Sequence, residues 1–397
     1  MTDISDKYNQ PEIRRILGQS TTAELVCPDG VGHFQHFQGG SIYWHPNTGA
    51  HEVHGAIRAK WTALGWERSF LRYPLTDETA TPDGRGRYNH FQGGSIYWTP
   101  ETGAHEVHGA IKAKWAELDW EKFFGYPVTD ETATPDGQGR YNHFEDGSIY
   151  WHPNTGAHEV HGAIRNTWKD LNWEKGYLGY PVTNELITPG HLRFQKFQGG
   201  ALLWTPQRGV WEVPGAETHY LAGVSSFHID CTRAVDDDTD HIAIGVKINS
   251  DKMLEIPVIH VGDVDDGDHV VDFYSDPFEL TKLTDVVTFN FSITNIGSDD
   301  YAAIENGLKE ASKAGLTYAF GPVGGAIAEI ASKIYDFFSA NCDGPVAVDQ
   351  VVASGHLINQ KSKDSHVYSA TKHYTYESQT FCGESPQYDV TWCIIRL

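Results

Sequence analysis

The sequence predicts a mainly β protein with interspersed helices: tandem repeats of a β meander plus one helix, followed by a β-sandwich-like domain with a helical hairpin. Three observations predict it. Trp44, Trp98, Trp151 and Trp204 recur at separations of 54, 53 and 53 residues, and a constant period of this size marks a repeat architecture. Within each period, alternating runs give way to an apolar stripe at i, i+4, i+7. Near residue 223 the period stops and longer β-rich runs take over.

The chain opens on the tail of a repeat without its front. Ile4, Tyr8 and Leu17 stand where Ile111, Trp115 and Phe124 stand in a complete unit. Full repeats then run over roughly 17–70, 71–123, 124–176 and 177–223. In the second, Arg87 to Phe91 alternates, and Gln92-Gly93-Gly94 suggests a hairpin turn with a glycine at positive φ. Ser95 to Trp98 forms the second strand, Pro100 to Gly103 a turn and Ala104 to Val107 a short third strand. Ile111, Trp115 and Leu118 then make one helical stripe, repeated by Ile57, Trp61, Leu64 and by Ile164, Trp168, Leu171. No such unit buries its apolar face alone, so neighbours must pack together, as an open stack or a ring.

These units resemble LGFP repeats. The naming motif stands as Leu178-Gly179-Tyr180-Pro181 and Phe124-Gly125-Tyr126-Pro127, and departs to Leu71-Arg72-Tyr73-Pro74 and Leu17-Gly18-Gln19-Ser20. The Gly-Ser-Ile-Tyr-Trp and Gly-Ala-His-Glu-Val-His-Gly segments also match, so the resemblance covers about residues 4–223. It implies a propeller-like arrangement, and repeats that hold secreted proteins on cell-wall polysaccharide.

Comparing the copies separates frame from face. Phe37, Phe91, Phe144 and Phe197 never change, nor do the four Trp residues or Glu52, Glu106, Glu159 and Glu212. Tyr43, Tyr97 and Tyr150 give way to Leu203, and His36, His90 and His143 give way to Lys196. Strand alternation puts Tyr97 opposite Ile96 and Trp98. With Trp98 in the core, the tyrosines point outward. They and the three histidines are therefore the candidate glycan-binding residues, a flat ring with a polar tip beside a hydrogen-bonding imidazole. The His-Glu-Val-His segments do not read as a zinc site, because strand geometry sends the two histidines to opposite faces.

From 224 to 397 the pattern is β-rich, with a helical hairpin expected over about 301–340 around Gly321-Pro322-Val323-Gly324-Gly325. Packing across a β-sandwich and insertion into a membrane are the two readings of that hairpin. Two acidic clusters stand out, Asp236-Asp237-Asp238 with Asp240, and Asp263, Asp265, Asp266 and Asp268. The second is a weak calcium candidate, since Gly267 comes one place early and the closing Glu is missing. Calcium is thus the one cofactor the sequence admits, and no other metal is expected. Among the five cysteines, Cys382 with Cys393 is the best hairpin pairing, against free thiols throughout.

A formal net charge of −23 excludes nucleic acid and anionic membranes as natural partners. No stretch is apolar enough to span a bilayer, and Met1 to Leu17 lacks the apolar region of a signal peptide. That suggests a cytoplasmic or non-classically secreted protein, whereas the resemblance suggests the cell wall. There is no nucleophile elbow, phosphate loop or dinucleotide fingerprint. The expected function is carbohydrate binding, lectin-like and multivalent, and not catalysis. Two alternatives stand beside it: a glycan-targeted toxin or defence protein, and a glycan-active enzyme.

Overall fold

Four strands and a helix make up each of the first three repeats, and the fourth keeps the strands. The computed structural model describes every residue except 1, 216–217, 232–238, 251, 297–299, 318–322, 338–343, 364 and 376–384. In the second repeat the antiparallel strands Thr79–Ala80, Arg87–Phe91, Gly94–Thr99 and Gly103–His108 form one sheet in that order. The helix Gly109–Glu117 follows. The glycines at its first hairpin serve close approach rather than positive φ. A Cβ on Gly93 would sit 1.9 Å from the carbonyl oxygen of Phe70. The left-handed glycine is Gly103, φ 81°, in the next turn.

The cores lie across the seams between repeats. Val107, Ile111 and Trp115 of the second repeat cluster with Tyr97 of the same repeat and with Phe144 and Ile149 of the third. Val53, Ile57, Trp61 and Tyr43 meet Phe91 and Ile96 in the same way. Trp61 and Trp115 lie 5.2 Å from the next repeat's Phe91 and Phe144, ring to ring. Burying each indole removes roughly 200 Å² from water, about 5 kcal/mol at most by area. The half repeat behaves as expected. Its helices Asp3–Tyr8 and Pro11–Leu17 bring Ile4 and Leu17 onto Phe37 and Ile42, and Tyr8 stacks on Phe37 at 4.7 Å.

This arrangement corrects the expected facing of the central strand. Tyr43, Tyr97 and Tyr150 are 2%, 4% and 3% exposed, whereas Trp98 is only partly buried. Alternation separates two faces but does not say which is covered. Here both are, one by the repeat's own helix and the other by the preceding repeat's.

A polar clamp also spans the seams from the first repeat to the second and from the second to the third. The Glu131 N–H donates to Glu106 Oε1 at 3.0 Å, and Asn142 Nδ2 donates to the Glu106 carbonyl at 3.0 Å. His108 sits between Glu106 (2.8 Å) and Glu131 (3.2 Å). Glu52, His54 and Glu78 repeat the motif one seam earlier. Burial alone would lower the pKa of His108. The hydrogen bond and charge of Glu106, with Glu131, raise it instead. Glu52 and Glu106 are therefore frame residues.

The chain divides into the compact units Met1–Asn184 and Glu185–Leu397. The periodic signal runs on to about 223, because the fourth meander keeps the repeat's strands, Arg193–Phe197, Gly200–Thr205 and Gly209–Pro214. Its apolar face belongs to the second unit. Leu192, Phe194 and Leu203 share a core with Leu221, Cys393, Ile395 and Leu397.

The rest of that unit is two packed sheets. One has the order Gly267–Tyr274, His219–Cys231, Gln387–Arg396, Val367–Thr375. The other has Lys252–Met253, Thr239–Ile248, Val286–Asn295, Gly344–Ser354. Val224, Phe227, Ile242, Phe289 and Tyr388 lie in the core between them. The helices Tyr301–Thr317 and Val323–Phe337 bury Ile304, Leu308, Ile330 and Ile334 with Ala243 and Val348 of the second sheet. Among the described residues no helix is long and apolar enough to cross a membrane. Cys393 is buried, with its thiol facing Tyr274, and the pairing expected of it with Cys382 falls outside the described residues. Cys382, like Asp236, Asp237 and Asp238, lies outside the described residues.

Two outcomes follow. Ending the chain at residue 223 leaves Phe194 and Leu203 without Cys393, Ile395 and Leu397. That fragment should bind a hydrophobic dye that the whole chain does not; a dye-silent fragment would refute the shared core. Glu106→Ala orphans a seam N–H and should cost about 2 kcal/mol in urea unfolding, against a few tenths for the exposed Glu117→Ala.

Candidate functional site

Each of the first three repeats ends its helix in a strained turn that presents a tryptophan. Trp66, Trp120 and Trp173 have φ of 59°, 58° and 53°. The residues before them, Gly65, Asp119 and Asn172, are also left-handed, at 106°, 60° and 74°. Gly, Asp and Asn tolerate that region; a bulky Trp does so at a cost of order 1 kcal/mol or more. Strain repeated at the same place in three copies marks a position held for a purpose.

The purpose is visible in the rings. Trp66, Trp120 and Trp173 lie nearly parallel to Tyr43, Tyr97 and Tyr150, at 5.8, 6.3 and 6.0 Å. Each is edge-on to the buried helix tryptophan, as Trp120 is to Trp115 at 5.2 Å and 80°. On the cross-strand neighbour, Phe34, Tyr88 and Tyr141 stack on the same tyrosines at 5.3, 5.1 and 5.1 Å. In the second repeat these rings border a cleft of about 190 Å³ lined by Pro82, Tyr88, His90, Tyr97, Trp120 and Glu121.

The structure therefore brings together the tyrosines and histidines singled out in the sequence, but in altered roles. Tyr43, Tyr97 and Tyr150 are the floor. Half-buried Tyr88 and Trp120 are the walls. His36, His90 and His143 hydrogen-bond through Nδ1 to Ser41, Ser95 and Ser148 at 2.7, 2.7 and 2.6 Å. That contact fixes each ring and leaves Nε2 as one polar group at the cleft. Burial lowers His90 and His143 to about 4, helped by Lys112 in one case and by Arg165 and Lys169 in the other. His36 is lowered by burial and by Arg58. All three are neutral at pH 7.

Polar groups complete the site. Glu121 and Glu174 are buried beside the tryptophans, and burial raises both pKa values. Among the described residues Glu174 Oε1 has no hydrogen-bond partner. The guanidinium groups of Arg58 and Arg165 lie 5.2 and 5.3 Å from Trp66 and Trp173. The second repeat has Lys112 there instead, half-buried with a lowered pKa. The fourth repeat has no such site: Leu203 replaces the tyrosine, Lys196 the histidine, and Phe194 is buried.

Sequence reasoning missed Trp66, Trp120 and Trp173. The signal was present: Trp-Glu recurs after the helix at Glu67, Glu121 and Glu174 with the period of the repeat.

The calcium candidate takes a different form. Asp265 and Asp266 are exposed in the link between Val258–Asp263 and Gly267–Tyr274, and Asp268 is hydrogen-bonded to His228 at 2.7 Å. Among the described residues these carboxylates do not converge as a ligand set. Asp240 of the other cluster is buried and accepts from Tyr388 at 3.0 Å.

The family model described as LGFP repeat matches residues 17–69, 71–122, 124–176 and 178–219, half of the chain. No curated protein matches. Similar solved structures include the extracellular domain of a one-component system from B. thetaiotaomicron, 10% identical with a TM-score of 0.11, over 69% of this chain and 33% of that one. The extracellular domains of hybrid two-component systems from the same organism give 7% and 9% identity and TM-scores of 0.14 and 0.12. They cover 68% and 70% of this chain and 41% and 35% of theirs. This chain thus spans well under half the length of those structures, and such scores carry no argument about fold or function.

The histidines make a signed prediction. Their folded values lie below the ordinary 6.5, so the unfolded chain binds more protons between about 4 and 6.5. Their contribution is present above 6.5 and is lost as pH falls through that window. His54 and His108, whose values are raised, contribute fully below 6.5 and do not produce this loss. The urea midpoint should fall more between about pH 7 and about pH 4.5 for the natural chain than for His90→Gln/His143→Gln. Equal falls would clear these imidazoles.

Proposed function

This chain belongs to the LGFP-repeat family, and from that premise we propose that it is a carbohydrate-binding, lectin-like protein that recognises cell-wall or surface glycans. The observation that carries the reading is the aromatic arrangement built in three copies, each with a tryptophan held at positive φ over a buried tyrosine, which in the second repeat borders a cleft. Sugar rings have apolar C–H faces that stack on aromatic walls, and hydroxyls that need fixed polar partners. Tyr88 and Trp120 supply walls; His90 Nε2 and Glu121 supply hydrogen-bonding groups. Family membership supports a surface or cell-wall association.

Three near-equivalent copies favour binding over catalysis, since a reaction needs one unsymmetrical site. Stacking contributes roughly 1 kcal/mol per ring beyond burial, so each cleft binds weakly and the array gains by multivalency on a polymer.

The test is a glycan array followed by titration of the best polysaccharide. Trp120→Ala should weaken apparent affinity about tenfold or less. Trp66→Ala/Trp120→Ala/Trp173→Ala should lose binding altogether, as avidity requires. Melting curves identify variants that remain folded. A folded triple variant with unchanged binding would remove these clefts from consideration.

A further inference from the structure

We infer that the outer face of the C-terminal sheet carries a site for a divalent transition-metal ion of the zinc class, formed by Asp230, His373 and Asp389 with His228 beside them. The strand register makes the site. Asp268 pairs with His228, His228 with Asp389, and Asp389 with His373, across all four strands of one sheet path. Directly opposed residues in antiparallel strands share a face, so the row alternates acid and imidazole from one edge strand to the other. Asp230 sits at an irregularity of the register between Ile229 and Cys231 and reaches the same row. Its carboxylate is 3.4 Å from His228 Nε2.

Ligand atoms of Asp230, His373 and Asp389 all lie within 4.8 Å of one another. Donors about 2.0–2.2 Å from one ion lie roughly 3.4 Å apart in a tetrahedral site, so small rotations of these exposed side chains bring the three donors onto a single ion. One imidazole and two carboxylates are a zinc-type donor set, and two anionic ligands balance a doubly charged ion. His373 is also braced from behind. Its Nδ1 faces Asp389 at 2.8 Å while Nε2 is hydrogen-bonded to Thr375 at 3.1 Å. A partner on the far nitrogen is how proteins orient an imidazole that ligates through the near one.

Cross-strand ion pairing alone explains less. Three carboxylates, Asp230, Asp268 and Asp389, share two histidines, and no lysine or arginine among the described residues pairs with them. A cation resolves that excess. Asp230 and His373 are exposed and Asp389 partly so, so water would complete the coordination and leave positions open.

The experiment is titration of the full-length chain, freed of metal by chelator, with Co²⁺ and then Zn²⁺. One equivalent of Co²⁺ should give a visible ligand-field band that Zn²⁺ abolishes. His373→Ala and the milder Asp389→Asn should each weaken Co²⁺ binding about tenfold or more. His356→Ala, an exposed histidine elsewhere, should leave it unchanged. Excess Zn²⁺ should raise the melting temperature of the natural chain by mass action and not that of the Asp230→Asn/His373→Ala/Asp389→Asn variant. Surface variants of this kind keep the fold, which melting checks. No saturable equivalent in the folded natural chain would overturn the site, as would binding that survives the triple variant at full strength.

Discussion

Everything in the repeat array depends on one buried indole per seam. Trp61 and Trp115 leave their own helices and end against the next repeat's phenylalanine, fully enclosed. A repeat therefore holds only half of a core, and its other half belongs to its neighbour. Tyr8 on Phe37 shows that the rule extends to the two short helices Asp3–Tyr8 and Pro11–Leu17, which cover the first repeat's Phe37 and Ile42. The Glu–His–Glu clamp adds direction. Hydrophobic contact brings two repeats together, but the N–H of Glu131 on Glu106 and the amide of Asn142 on the Glu106 carbonyl allow only one register. Losing such a bond leaves a buried polar group unpaired, so the clamp specifies alignment more than it adds net stability.

The cleft inherits its rigidity from that seam. Its floor, Tyr97, is a core residue edge-on to Trp115 at 4.7 Å. Its wall, Trp120, is edge-on to the same indole. A left-handed tryptophan persists only where the surroundings over-determine it, and here the buried tryptophan does so. Pre-organised walls lose little entropy on binding, which matters most where each contact is weak.

Much of this was legible in the residues. The period, the meander, the helical stripe and the half repeat follow from spacing alone, and the sandwich with its helical hairpin follows from composition and run length. The facing of Tyr97 did not follow. Alternation assumes one wet face, and a strand covered on both sides by successive helices breaks that assumption. Trp120 was passed over because it lies just beyond the helical stripe, where an aromatic residue reads as a loop residue. What distinguishes it is a backbone angle, and a sequence does not display φ. The fourth meander kept its repeat signature while Leu203 and Phe194 turned its apolar face to the second unit. Periodicity reports common descent of strands, not which core they join. The His–Asp row was invisible for a related reason, since its members come from residues 228, 268, 373 and 389 and meet only through register.

The three clefts are not identical, and the differences are chemical. Phe34 lacks the hydroxyl that Tyr88 and Tyr141 carry at the same wall. Arg58 and Arg165 lay a guanidinium beside the tryptophan and hydrogen-bond Ser41 and Ser148, whereas Lys112 offers a compact ammonium on a flexible stem. A guanidinium stacked on an indole already uses part of that ring's attraction for a ligand. The second repeat has Lys112 in place of the arginine, beside its cleft of about 190 Å³. A single frame thus presents the same aromatic floor beside a lysine in the second repeat and beside an arginine in the first and third. Identical copies would gain only avidity from a uniform polymer. Graded copies also discriminate, because a branched or charged glycan meets a different polar neighbour at each repeat while the aromatic floor stays the same.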